Sequence, residues 1–361
     1  MNAVLLGRPN IDTVPGGDAL QMRETADVLR RAGIDVHIAQ TADEARARLR
    51  PGDTLNLWNV QRAPDWGDLV ETSKARGVRV LITPLFHPVE RYHREGRTGV
   101  AATVARMLQD ADRFAALRWG GGDLLALAQR ALEAADRVLL AHPAEAQLLH
   151  EWCGAELRDT AVVPPGIPEV APASIEHPFT PAPTDFVLSV GRIEPLKNPL
   201  LSLSAARRAK LPIAFAGSLP PMGRHLLHSR RFKRELKSAG RRSARWMGSV
   251  SPGQVRGLME QARVHVLASW TEVMGRATVE AAMHGAAVVL TDVGHAPDLL
   301  GRDDPRVFLV EPGDEDGLVR ALKAAWESGR DPDGALARRV RGRLSWEIVA
   351  PQLLDAWEIG G

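Results

Sequence analysis

Short runs of β-branched residues and leucine alternate along this chain with longer amphipathic runs, and that alternation points to one fold class, a parallel sheet flanked by helices. Strands are expected near residues 2–7, 34–39, 54–60, 78–84, 136–141 and 160–163, and again at 186–190, 213–217, 264–269, 287–292 and 307–310. A helix from Ala19 to Arg31 carries Met22, Ala26, Val28 and Leu29 at roughly helical spacing and stops at Gly33. One stretch, Pro164 to Pro183 (PPGIPEVAPASIEHPFTPAP), can continue neither sheet nor helix and reads as an interdomain connection. At 361 residues the chain is too long for one typical core. The expected division is a first domain over 1–180, a second domain over 181–343 and a terminal helix over 344–361.

Composition removes several function classes. The net charge is +2, so no strong field draws the chain to nucleic acid or membrane. Cations are mostly Arg, with six Lys, one of them Lys197. A single cysteine, Cys153, rules out an internal disulfide framework and fits a reducing compartment. The opening MNAVLLG has no basic region followed by a long apolar stretch, so a cytoplasmic location is expected, with transient binding at the inner membrane face left open. The basic stretch from Arg224 to Arg245 is read first as a solvated face and second as an attractor for phosphorylated or anionic-lipid substrates.

Two segments carry chemistry. GRIEPLKN (Gly191 to Asn198) follows an apolar strand; Gly191 makes the turn, Arg192 offers a planar fork for phosphate oxygens and Lys197 a mobile point charge. The second segment, SWTEVMGRATVEAAMHG (Ser269 to Gly285), holds Glu272 and Glu280. On one continuous helix those carboxylates would differ by about 80° and lie roughly 12 Å apart along the axis, too far for a single sugar unit. With Glu272 in a loop and a helix starting near Gly275, both can face one elongated ligand. The first-turn amides of Met274, Gly275 and Arg276 would then point at a diphosphate. Cations and a helix N-terminus suit a diphosphate, whereas carboxylates suit sugar and ribose hydroxyls. No Cys-His cluster or other convincing metal site is visible, and no G-x-G-x-x-G follows the first strand, which argues against an NAD dehydrogenase.

The ordered series VGRIEPLKN, IAFAG, MGSVSPGQVRGLMEQARVHVLAS, the double-glutamate segment, VVLTDVGHAPDLL, VFLVEPGDEDGLVRAL and LSWEIVAPQLLDAW resembles the donor domain of retaining glycosyltransferases of family 4, over nearly all of residues 186–357. The resemblance implies the GT-B fold, two Rossmann-like β/α/β domains facing each other across a cleft, with the final helix crossing back to the first. It assigns Arg192 and Lys197 to the diphosphate, Glu280 to the ribose and Glu272 to the donor sugar. Ser249 and Val250 would pass beside the base. GGDALQM (Gly16 to Met22) looks like the glycine loop that approaches the donor from the first domain, which makes Gly17 a binding candidate. VRVLITPLFHP looks like the strand that delivers a catalytic histidine, His87. Val273-Met274-Gly275 departs from the family's usual Gly-Phe-Gly.

What the resemblance implies is a metal-independent, retaining hexosyltransferase using a UDP- or GDP-sugar, with no cofactor, in cell-surface glycan or glycoconjugate synthesis. Its acceptor would be a glycan, a lipid-linked glycan or a small molecule, and its partners would include no nucleic acid. Two other readings stay open: a sugar-nucleotide epimerase of the same fold, and a donor-binding protein without transfer activity. Trp58 and Trp66 beside the third strand could stack on sugars but are read as packing residues.

Overall fold

The computed structural model describes residues 2–13, 16–97, 124–168, 173–179, 185–220 and 225–358. They form two compact units. One comprises Met1–Phe86, Met107–Pro168 and Trp346–Gly361; the other comprises His87–Arg106 and Glu169–Ser345. The sequence boundaries at 180/181 and 343/344 divide the chain differently, because a segment starting at His87 groups with the second unit. Parts of the Pro-rich stretch, 169–172 and 180–183, lie outside the described residues.

Unit 1 is built on a six-stranded parallel sheet. Its strands are β1 (Asn2–Leu6), β2 (Asp35–Ala39), β3 (Thr54–Trp58), β4 (Arg79–Thr83), β5 (Arg137–Leu140) and β6 (Thr160–Val162), in spatial order β2-β1-β3-β4-β5-β6. Side chains alternate across a strand, and here both faces are buried. Ala3 and Leu5 enter one core while Val4 and Leu6 enter the other. That double burial is why the strands read as nearly continuous apolar runs. Helix Gly17–Arg31 packs on the Leu5 face. The last helix, Trp346–Ala356, covers the same face with Leu353, Ala356 and Trp357, and its C-terminal carbonyls accept from Arg137 and Arg79. Trp58 and Trp66 are core residues.

Unit 2 repeats the plan with β7 (Val187–Val190), β8 (Ile213–Ala216), β9 (Ala244–Trp246), β10 (Val264–Leu267), β11 (Ala287–Thr291) and β12 (Val307–Val310), ordered β12-β11-β10-β7-β8-β9. All eleven expected strand positions hold a strand, but the twelfth, β9, was not expected: it is three residues long, sits at the sheet edge and is embedded in the Arg-rich stretch. Each sheet reverses its direction of winding once, between β1 and β3 in unit 1 and between β7 and β10 in unit 2. Ligands of open α/β sheets bind outside the strand C-termini at such a reversal. No helix among the described residues is long and apolar enough to cross a membrane.

Candidate functional site

The winding reversal of unit 2 is where the two predicted segments meet. β7 pairs with β10 through Val187↔Val264 and Leu188↔His265, so the loops leaving both strands emerge side by side. Trp270 N–H donates to the Leu196 carbonyl at 2.8 Å, tying one loop to the other through the backbone. The side chains complete the link: Lys197 Nζ lies 2.5 Å from Glu272 Oε1, and Ser269 Oγ donates to the same oxygen at 2.6 Å.

Close backbone approach makes the turn after β7 possible. Gly191 and Gly217 follow neighbouring strands with φ of 156° and 149°. A Cβ on Gly217 would fall 2.0 Å from the Gly191 carbonyl oxygen, so no other residue fits there. Gly191 N–H donates to Ala216 O and Ile193 N–H to Ser218 O, both at 2.9 Å, which fixes Arg192 between them. Arg192 is half exposed and pairs with buried Glu194 at 3.1 Å.

Glu272 sits in the loop after β10, as its spacing required, and the next helix runs Arg276–Met283 with Gly275 as its N-cap in the left-handed region (φ 62°, ψ 45°). Gly275 has no side chain with which to cap that terminus, where the helix dipole favours an anion. Gly275 lies against Glu272, whose Cγ is 4.0 Å from the position a Cβ would take. Glu280 is one turn into the helix and accepts from Arg276 Nε at 2.6 Å. Sequence reasoning placed Arg276 and Glu280 at the ligand separately; the structure joins them as a pair.

The loop carrying Glu272 is braced from β11. Thr291 Oγ1 donates to Ser269 O and His295 N–H to Val273 O, each at 2.7 Å. A Cβ on Gly294 would lie 2.4 Å from the Glu272 carbonyl oxygen. Val273 and Met274 are buried, so the departure from Gly-Phe-Gly is filled by packing side chains.

Burial pushes the Glu272 carboxyl up, but Lys197, Ser269 and, to a smaller extent, His87 outweigh it and hold the group below the usual carboxylate range. His87 thus acts on Glu272 from within unit 2. Its segment is fastened there: Arg91 pairs with Glu311 at 2.9 Å, and Gly96 and Gly313 both lie against the Trp270 indole, each within 2.8 Å as measured from a would-be Cβ. Beneath Glu272, His265 is wholly buried, with neither ring nitrogen hydrogen-bonded among the described residues; burial drives its pKa down to about 3.

Of the remaining predicted residues, Ser249 and Val250 occupy the loop after β9, Ser249 exposed and Val250 partly buried. That loop ends in a capping box of Ser251 and Gln254. Gly17 is in unit 1, at the first turn of helix Gly17–Arg31, with nothing within 4 Å of a would-be Cβ. Ser269, Thr291, Gly217 and Gly294 were missed. They support the site through backbone approach and hydrogen bonds to the loop, which no local motif records. Among the described residues, no three His, Cys, Asp or Glu side chains are placed to hold a metal ion.

Residues 173–340 match the model of a family described as Glycosyl transferases group 1. The chain is similar to a D-inositol 3-phosphate glycosyltransferase from Geodermatophilus obscurus, 32% identical over 244 residues, which is 62% of this chain and 52% of that protein. It is also similar to D-inositol 3-phosphate glycosyltransferase 2 from Catenulispora acidiphila, 29% identical over 246 residues, 63% of this chain and 56% of that protein. The chain thus spans about half the length of these curated relatives. Among solved structures, sucrose-phosphate synthase from Thermosynechococcus elongatus superposes with a TM-score of 0.78 at 18% identity, covering 99% of this chain and 98% of the other. Anabaena HepE in complex with UDP gives a TM-score of 0.67 at 14% identity, covering 99% and 100%. These two likenesses establish the fold, a pair of Rossmann-like units of the GT-B kind.

Proposed function

We propose that this protein, whose residues 173–340 match the group 1 glycosyl transferase model, moves a hexose from a nucleoside-diphosphate sugar to an acceptor hydroxyl, with retention of anomeric configuration and without a metal. The observation that carries this reading is the Lys197–Glu272 pair at the winding reversal between β7 and β10, beside the helix N-terminus at Gly275. Fixed cations, a helix N-terminus and carboxylates stand together there, the set a sugar nucleotide requires.

Arg192 and Lys197 neutralise the diphosphate. An ammonium has three donors, and the bond to Glu272 uses one, leaving Lys197 able to reach a phosphate oxygen. Amides of the first turn of helix Arg276–Met283 receive the other phosphate oxygens. Glu280, oriented by Arg276, accepts from a ribose hydroxyl; Glu272, held ionised by Lys197, accepts from a hydroxyl of the sugar. As the bond from the anomeric carbon to the phosphate oxygen breaks, the developing charge on the diphosphate meets these preorganised cations and dipoles. The acceptor oxygen bonds the anomeric carbon from the same face, and its proton passes to the departing phosphate. His87 orients the sugar from the segment fastened at Arg91 and Trp270.

The UDP complex of HepE and the names of the two curated relatives set the first substrates to try, a UDP-hexose and D-inositol 3-phosphate, ahead of lipid-linked glycans. The test is a transfer assay with UDP- and GDP-hexoses, with and without EDTA, the product's anomeric configuration being read by NMR. The reading predicts EDTA-resistant release of nucleoside diphosphate and a retained anomer. An inverted product would defeat the retaining mechanism, and loss of activity with EDTA would defeat metal independence.

A further inference from the structure

The proposed reaction leaves the basic stretch of unit 2 unused, and the structure gives it a definite form. Helix Leu226–Ala239 buries Phe232 against Phe215 and Trp246, with ring centroids 5.1 Å and 6.3 Å away, and partly buries Leu236 on the same core. At about 100° per residue, the opposite face brings Leu226, Leu227, Arg230, Arg234 and Lys237 within an arc of about 100° and a length of about 17 Å. All five are exposed, and Leu226 and Leu227 are exposed by 50% and 80%. Arg231, Arg241 and Arg242 extend the same charge; Arg224 lies outside the described residues. Residues 226–242 hold seven cations against one carboxylate, a net +6, in a chain of net +2, so the remainder of the chain sums to −4. That carboxylate, Glu235, is already engaged by Arg234 at 3.1 Å.

We infer that this outer helix face docks the protein onto an anionic phospholipid bilayer, its cations facing headgroups and the Leu226-Leu227 pair entering the interface. Charge complementarity selects an anionic partner, and the leucines select one with an apolar layer beneath its charge. A nucleic acid would offer nothing to two adjacent leucines, and the face presents no aromatic ring for a base to stack on. An acidic peptide would seek a groove, whereas a single helix face is convex. The basic charge is local, so the weak net charge of the whole chain does not oppose this docking.

Sedimentation of the full chain with vesicles of phosphatidylcholine alone, and of phosphatidylcholine mixed with phosphatidylglycerol, tests the inference. The expected result is binding to the mixed vesicles only, weakened by salt. Removing Arg230 and Arg234 as Arg230→Gln with Arg234→Gln should weaken it by about fivefold per charge. Leu226→Ser with Leu227→Ser should weaken it by about tenfold at low salt. UDP affinity and the melting temperature, measured on the same variants, should stay as in the unaltered chain, because none of these residues belongs to the proposed donor site. Equal binding to both vesicles, absence of binding, or unaltered binding by the double-arginine variant would overturn the inference. So would displacement by polyglutamate with the leucine variant binding normally, which would assign the face to an acidic protein instead.

Discussion

Two buried carboxylates stand behind strand C-termini, one in each unit, and they titrate in opposite directions. In unit 1, Glu145 follows β5 and accepts from the amides of Ala141 at 2.8 Å and Phe86 at 3.2 Å; with no cation beside it among the described residues, burial raises its pKa to about 7. In unit 2, Glu272 follows β10 and is also buried, yet Lys197 and Ser269 hold it below the ordinary range. The same side chain at a similar place in a similar sheet is thus a clamp on strand ends in one unit and a charged group at the proposed donor site in the other. The cation on the adjacent loop decides which. A cavity of about 20 Å³ beside Glu145 is lined by Asn56, Trp58 and Thr83, room for about one water rather than a sugar nucleotide.

Backbone crowding gives the largest expected difference between the units. Gly217→Ala places a Cβ against the Gly191 carbonyl and should cost about 4 kcal/mol in denaturant unfolding, whereas Gly17→Ala in unit 1 meets nothing and should change stability by less than about 1 kcal/mol. Equal costs would remove the argument that the β7–β8 turn is built on close approach.

Lys197→Ala strands the Glu272 carboxylate. Calorimetric unfolding at neutral pH should show a loss of about 3 kcal/mol, and turnover should fall about 100- to 1000-fold. A variant with unaltered stability would mean that the pair is not formed in solution.

The buried ionisable groups should also separate by pH. The unfolded chain protonates His265 below 6.5 while the folded chain resists until about 3, so stability should fall with acidification across that window by up to about 1.4 kcal/mol per pH unit. His265→Leu should flatten this slope. Glu145 runs the other way over a narrower range: the folded chain keeps its proton up to about 7 and the unfolded chain releases it near 4.5, so its share of stability falls as pH rises between them. Glu272, depressed when folded, contributes above the ordinary carboxylate range and loses that contribution on acidification. Stability curves of Glu145→Gln and Glu272→Gln that bend in the same direction would contradict the comparison.

Much of this architecture was legible because buried parallel strands require apolar runs, which composition displays directly. β9 was hidden by its length and by flanking arginines. At the site, the residue types and the loop position of Glu272 followed from spacing and a glycine turn. Partnerships did not: that Lys197 meets Glu272, that Arg276 orients Glu280, and that His87 works from unit 2 all depend on which strands become neighbours. Gly217 and Gly294 looked like ordinary strand-end glycines, since what crowds them comes from other loops.

The central claim is that a nucleoside diphosphate binds at the winding reversal of unit 2. Its most direct test is calorimetric titration of UDP, without added metal, into the unaltered chain, Arg192→Ala and Glu280→Ala; because Arg192 pairs with buried Glu194, the melting temperature of each variant is measured beside it to establish that the chain is folded. The account predicts one UDP per chain, bound about 10- to 100-fold more weakly by each variant. Absence of binding, or variants that bind as tightly as the unaltered chain, would contradict it.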